Sequence, residues 1–138
     1  MTETFSEFGL LAGTIYGEAR NQEYAGKVGV GLVVRTRVRY PGWWGRNWRE
    51  VILSPHQFSC WSDHNRDAIM QAMAENSSDW QSCMNIARQV YLGEIEDKIG
   101  APTHYCRFDV HPAWRIKLKF LCQIEDHVFY HDPAIDRS

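Results

Sequence analysis

The sequence predicts an α+β domain, a mainly helical body with a small C-terminal antiparallel sheet. Up to about residue 92, apolar residues recur at the three- and four-residue spacing of helices. From about residue 103 the period shortens to two, the spacing of strands. The 138 residues, 44% hydrophobic and 23% charged, are enough for one core and too few for two comfortable ones. No internal repeat or low-complexity stretch divides the chain, so residues 1–138 read as a single domain.

Residues 5–20 read as the first helix, with Phe8, Leu11, Ala12, Ile15 and Ala19 as its inward stripe. Asn21 through Tyr24 form a polar break. The second helix runs to about Val38 and is apolar nearly all round, through Val28, Val30, Leu32, Val33, Val34 and Val38, which predicts a central, buried position. Gly26, Gly29 and Gly31 cost helix propensity there and point to close packing of a neighbour. Tyr40-Pro41-Gly42 ends the helix. Residues 43–61 look irregular, with a short helix at 49–53 stopped by Ser54-Pro55. Another short helix is expected over 66–75.

The clearest periodicity lies at 79–92, where Trp80, Cys83, Met84, Ala87, Val90 and Tyr91 share a face. Ser78 with Gln81 has the pattern of a capping box, and Gly93 is a good stop. Beyond residue 103, His104, Cys106, Phe108 and Val110 alternate with Thr103, Tyr105, Arg107 and Asp109. Ile116, Leu118 and Phe120 alternate with Lys117 and Lys119, and residues 127–131 form a last short strand.

Net charge is −2, so no overall basic field advertises a nucleic-acid partner. Aromatic content is high at 13%, which suits a core and also the flat platforms of carbohydrate grooves. Cys60, Cys83, Cys106 and Cys122 make no C-x-x-C pair and read as reduced thiols, with disulfides left open by the even count. The first seven residues carry two acids and no base, unlike a secretory signal, and no run reaches membrane-spanning length. The expectation is a product made in the cytoplasm without stable membrane insertion.

Glu18 stands out. It follows Leu11 by seven residues and Ile15 by three, at the edge of the first helix's apolar stripe. A carboxyl partly withdrawn from water there is expected to favour its protonated form, as a general acid at a glycosidic bond requires. The competing reading is a surface glutamate paired with Arg20.

Tyr16-Gly17-Glu18-Ala19-Arg20, followed by Gly26-Lys27-Val28-Gly29-Val30, resembles the signature of the SleB-type cell wall hydrolases, which include spore-cortex-lytic enzymes and many phage lysins. Three further blocks match in order: Gln57-Phe58-Ser59-Cys60-Trp61, Ala101-Pro102-Thr103-His104-Tyr105 and His127-Val128-Phe129-Tyr130. The resemblance spans about residues 10–131 and implies a lysozyme-like fold. It also implies cleavage of peptidoglycan glycan strands between N-acetylmuramic acid and N-acetylglucosamine by lytic transglycosylases, with the catalytic glutamate at Glu18. Members often add a signal and a wall-binding module. Lacking both, the sequence fits a phage-type endolysin acting on the wall, carried across the membrane by another factor.

A search for a second carboxylate finds Glu23 beyond the helix break and Asp63 after Trp61, neither at a spacing that forces a pair. A lone acid/base fits a transglycosylase, in which the muramoyl 6-hydroxyl attacks and no water is needed. A hydrolytic muramidase remains the alternative in the same chemistry. A silent wall-binding or virion structural protein is the alternative of another class.

Ser59 and Thr103 are candidates for holding Glu18 or the substrate's N-acetyl group. Tyr105 is a candidate groove-lining ring, opposite the set Cys106, Phe108 and Val110. Trp61, Trp114 and Tyr130 could stack on sugars or belong to the core. His104 and His127 could donate hydrogen bonds or be structural. No cofactor or metal is called for: His104, Cys106, His111, Cys122, His127 and His131 lack the spacing of a zinc site. Residues 35–49 hold five arginines among four aromatics, the composition of a single-stranded nucleic-acid platform or of a solvated helix end, and the acidic remainder weighs against nucleic acid.

Overall fold

The computed structural model describes residues 5–55, 57–62 and 65–137. Five helices come first: α1 (Glu7–Ala19), α2 (Tyr24–Val38), α3 (Trp48–Leu53), α4 (Arg66–Glu75) and α5 (Ser78–Tyr91). Strands β1 (His104–Arg107), β2 (Lys119–Ile124) and β3 (His127–His131) follow, and short 3₁₀ turns cover Ser59–Trp61, Ala113–Lys117 and Pro133–Arg137.

α1 is the hub, packed on α2, α3, α4, α5 and the 59–61 turn. Ser6 caps it by accepting the Gly9 amide at 3.0 Å. Leu10 through Ile15 are all buried, so the helix is enclosed through its middle rather than along one stripe. α2 is buried without interruption from Gly26 to Arg37, as its all-round apolar pattern predicts. Its glycines set the packing distances. A Cβ at Gly29 would lie 2.4 Å from the Phe129 ring, and one at Gly31 would lie 3.1 Å from Val90. Gly29 therefore lets the sheet sit directly on the helical body.

α5 ends as expected at Gly93 (φ +74°) in a Schellman motif. The Glu94 amide donates to the Gln89 carbonyl at 2.8 Å, and the Gly93 amide donates to Val90 at 3.1 Å. Its start differs from the sequence reading. Ser77, not Ser78, is the cap and accepts the Trp80 amide at 3.1 Å. Gln81 bonds the Asn76 carbonyl at 2.9 Å instead of closing a capping box.

The sheet has order β1-β3-β2 and is antiparallel throughout. Tyr105 pairs with Phe129 and Arg107 with His127, so these share one face. His104 pairs with Tyr130, and Phe120 pairs with Tyr130 from the other side, which defines the opposite face.

Two strand expectations are corrected. The alternation over 103–110 holds only to Arg107; Phe108 and Val110 stand beyond the strand, 46% and 49% exposed. Ile116 lies in the Ala113–Lys117 turn, 81% exposed, and β2 begins only at Lys119. In both places a two-residue period arises without a buried face to enforce it.

The arginine-rich stretch is divided. Arg35 and Arg37 are buried in α2, whereas Arg39 and Arg46 are exposed. Arg37 donates to the Thr103 carbonyl (2.8 Å) and to Gln57 (2.9 Å), between the Trp44 and Phe58 rings. Burial lowers its pKa to about 10, opposed by Tyr105. It ties α2 to the start of β1 and is not part of a solvated helix end.

Candidate active site

Glu18 occupies the last turn of α1, half-buried. Two elements close on it. The first is the 59–61 turn, whose approach depends on Gly17: a Cβ there would lie 2.3 Å from Cβ of Cys60. The Cys60 thiol lies beside the Glu18 carboxylate and feels its charge. The second is β1, from which the Tyr105 hydroxyl donates to Glu18 Oε1. Burial, and then the neighbouring Glu18 charge, push both the Cys60 thiol and the Tyr105 phenol up. Both groups therefore keep their protons, and Tyr105 serves Glu18 as a fixed donor.

A cleft of about 380 Å³ opens in front of Glu18. Arg20 and Ser59 line it on the helical side, and Arg107, Asp126 and His127 on the sheet side. His127 stacks against the Tyr105 ring with centroids 5.1 Å apart, and its Nδ1 is buried without a hydrogen-bond partner. Burial lowers its pKa, opposed by Glu18 and Asp126, so the imidazole is neutral at neutral pH. Asp126 accepts from the Gln22 side chain at 3.2 Å and lies 3.8 Å from Arg107.

The structure brings together Glu18, Ser59 and Tyr105 from the residues singled out by sequence. It places Trp61, Thr103 and Tyr130 elsewhere. Trp61 is buried with its ring against Gly13, and its indole N–H donates to Thr14 Oγ1 at 2.9 Å. Thr103 is fully buried; its hydroxyl accepts the Asp132 amide and is hydrogen-bonded to His104 Nδ1, both at 2.8 Å. Tyr130 is buried on the sheet face turned away from Glu18, with Trp114 and Phe120 edge-on to it. Of the two carboxylates weighed as partners, Glu23 does not line the cleft and Asp63 lies outside the described residues.

Sequence reasoning passed over Cys60, Arg107 and Asp126. Cys60 sits inside the Gln57–Trp61 block, and Gly17 beside Glu18 was the available sign of a close approach. Arg107 and Asp126 are adjacent only through β1–β3 pairing, which no local pattern reports. Among the described residues, no group of three His, Cys, Asp or Glu side chains is placed to hold a metal ion. All four cysteines are free thiols.

The fold is similar to that of two solved catalytic domains. One is described as the catalytic domain of the germination-specific lytic transglycosylase SleB from Bacillus anthracis. It aligns with TM-score 0.67 and 20% identity over 94% of this chain and 99% of that one. The catalytic domain of Bacillus cereus SleB aligns with TM-score 0.67 and 21% identity over 90% and 88%. The shared architecture is the lysozyme-like α+β fold. No curated protein matches the chain. The family model described as Cell Wall Hydrolase matches residues 21–130, starting just past Glu18 and taking in the 59–61 turn, β1, β2 and β3 as far as Tyr130. By that match over most of its length, the chain belongs to the cell wall hydrolase family.

Proposed function

We propose that this chain cleaves the glycan strand of peptidoglycan between N-acetylmuramic acid and N-acetylglucosamine as a lytic transglycosylase, with Glu18 as its acid and base. The observation that carries the reading is Glu18 itself, a half-buried carboxyl at the back of a polar cleft, held by Tyr105 with Cys60 beside it. The Bacillus anthracis relative in fold is named as a lytic transglycosylase, which supports the same chemistry here.

In this mechanism protonated Glu18 gives its proton to the glycosidic oxygen as the C1–O bond breaks. Positive charge then develops on C1 and the ring oxygen of the muramoyl unit. The resulting Glu18 carboxylate faces that charge and removes the proton from the muramoyl 6-hydroxyl, whose oxygen closes on C1. A 1,6-anhydro end forms, no water is consumed, and Glu18 regains its proton. The Tyr105 donor holds the carboxylate in one orientation through both steps. Ser59 and Arg20, on the cleft wall, are placed to meet polar groups of the glycan. The biological setting that accompanies this reading is a phage-type endolysin, reaching the wall once another factor has opened the membrane. No described helix is long and apolar enough to cross a membrane.

A hydrolytic muramidase is the second reading, favoured by one observation: Asp126 is a further carboxylate in the cleft. Its contacts with Gln22 and Arg107 give it a structural occupation instead. Mass spectrometry of digested peptidoglycan separates the two. Anhydro-muramoyl ends, lighter by one water, support the transglycosylase. Reducing ends lost in Asp126→Asn would establish the muramidase, and no released fragments would leave only wall binding.

A further inference from the structure

We propose that the sheet face turned away from Glu18 is a docking surface for an anionic phospholipid membrane. Residues 111–120, His-Pro-Ala-Trp-Arg-Ile-Lys-Leu-Lys-Phe, carry Arg115, Lys117 and Lys119 and no acid, in a chain whose net charge is −2. Arg115 and Lys117 are exposed, and among the described residues neither forms an ion pair; Lys119 pairs with His131 in the sheet and turns to the other face. Between them stand the apolar side chains of Trp114, Ile116 and Phe120, which are 38%, 81% and 60% exposed. Alternating cations and exposed apolar tips are the composition of a surface that rests on charged headgroups and inserts shallowly between them.

The tips are held firmly. Trp114 and Phe120 both pack edge-on to the buried Tyr130 ring, with centroids 5.7 and 6.3 Å away. Trp114 also lies 5.0 Å from the His104 ring, itself backed by Trp44 at 6.1 Å. Beside Trp114 is an open depression of about 570 Å³ with Lys117 and Arg137 on its rim and one acid, Asp132. Two cations to one carboxylate give it the polarity to accept a phosphate headgroup. The nearby Asp136 carboxylate is engaged by His131 Nε2 at 3.0 Å.

A second glycan platform is the competing occupant. Carbohydrate sites use flat rings ringed by hydrogen-bonding groups, whereas the most exposed tip here is the branched aliphatic Ile116. The exposed apolar area favours lipid. Lying on a membrane by this face would turn the Glu18 cleft outward, because Tyr105 and His127 occupy the opposite face from Phe120 and Tyr130. Membrane binding itself does not depend on the reaction at Glu18.

The test is co-sedimentation of the full chain with vesicles of mixed phosphatidylglycerol and phosphatidylcholine, against pure phosphatidylcholine. Partition onto the anionic vesicles is expected to exceed that onto neutral ones by about tenfold or more, and to fall in high salt. The double variants Ile116→Ser/Phe120→Ser and Arg115→Gln/Lys117→Gln should each weaken it by about tenfold or more. Both should digest solubilised wall fragments at the wild-type rate and keep the wild-type melting transition, since the altered side chains are exposed. Three results would overturn the proposal: no partition onto anionic vesicles, partition equal in wild type and folded variants, or variants that lose binding to purified wall sacculi while vesicle binding stays intact.

Discussion

The phenolic hydroxyl of Tyr105 donates a hydrogen bond to Oε1 of Glu18, joining residues 87 positions apart in the chain. That bond links the end of α1 to the first strand of the sheet and fixes the orientation of the carboxyl on which the proposed reaction turns. Tyr105→Phe keeps the ring, and so its packing on His127 and Phe129, and removes only the donor. A hydrogen bond to a charged group is worth enough to predict a fall in kcat of about tenfold to a hundredfold, with little change in KM. Steady-state digestion of soluble wall fragments measures the split; a pure KM effect would place Tyr105 in binding instead.

Glu18→Gln is nearly isosteric and should abolish wall lysis, with a loss of at least about a hundredfold, because the amide cannot give up a proton to the leaving oxygen. The fold should survive, since Glu18 is only half-buried. Turbidity clearing, with a thermal melt beside it, checks both. Undiminished lysis by a folded Glu18→Gln protein would remove Glu18 from the chemistry.

Cys60 packs beside Glu18 as a neutral thiol and supplies no nucleophile. Burial and then Glu18 hold its thiol well above the usual range, so almost none of it is thiolate at neutral pH. Native enzyme should therefore resist iodoacetamide at Cys60 while denatured protein reacts, as peptide mapping would show. Cys60→Ser, which keeps a donor, should retain more activity than Cys60→Val, which has none.

Gly29→Ala tests the packing that seats the sheet. The new methyl would lie 2.4 Å from the Phe129 ring, in a buried contact between α2 and β3. Overpacking of this kind costs about 1–3 kcal/mol. Urea denaturation should show a lower midpoint, and an unchanged midpoint would mean that Phe129 yields freely.

His104 makes stability depend on pH. Burial, and then the nearby Arg37 cation, lower its pKa to about 4 against the ordinary 6.5. Above pH 6.5 both folded and unfolded forms are neutral there, and the group contributes no difference. As pH falls from 6.5 towards 4, the unfolded chain takes up a proton that the folded chain refuses, so stability declines through that window. His104→Gln should flatten this part of the curve of urea midpoint against pH.

Much of the helical body is legible in the sequence because each helix is specified locally. α2 is apolar on every side and is buried on every side; Gly93 follows α5 and closes it. The place of Glu18 at the edge of the α1 stripe follows from helix geometry. That position alone fits a paired surface glutamate as well, and the resemblance of the blocks around it is what marks it as the candidate acid. The small sheet is less legible. Ile116 and Phe120 have strand-like alternation and yet face solvent, because a period of two says which residues share a face and not whether anything covers it.

The rest of the site was decided by tertiary structure. Thr103, Tyr105 and Tyr130 come from two matching sequence blocks, but strand pairing sends the Tyr105 side chain to Glu18 and the Tyr130 ring to the far face. Trp61 lies one residue from Cys60, and the 59–61 turn buries the first against Gly13 while directing the second to the Glu18 carboxyl. By itself the sequence determined the helices and the fold class, through periodicity and caps that act within a few residues, and it marked the candidate acid through the ordered blocks around Glu18. Which side chains surround that acid depended on contacts between distant segments, where a shift of one residue sends a side chain to the opposite face.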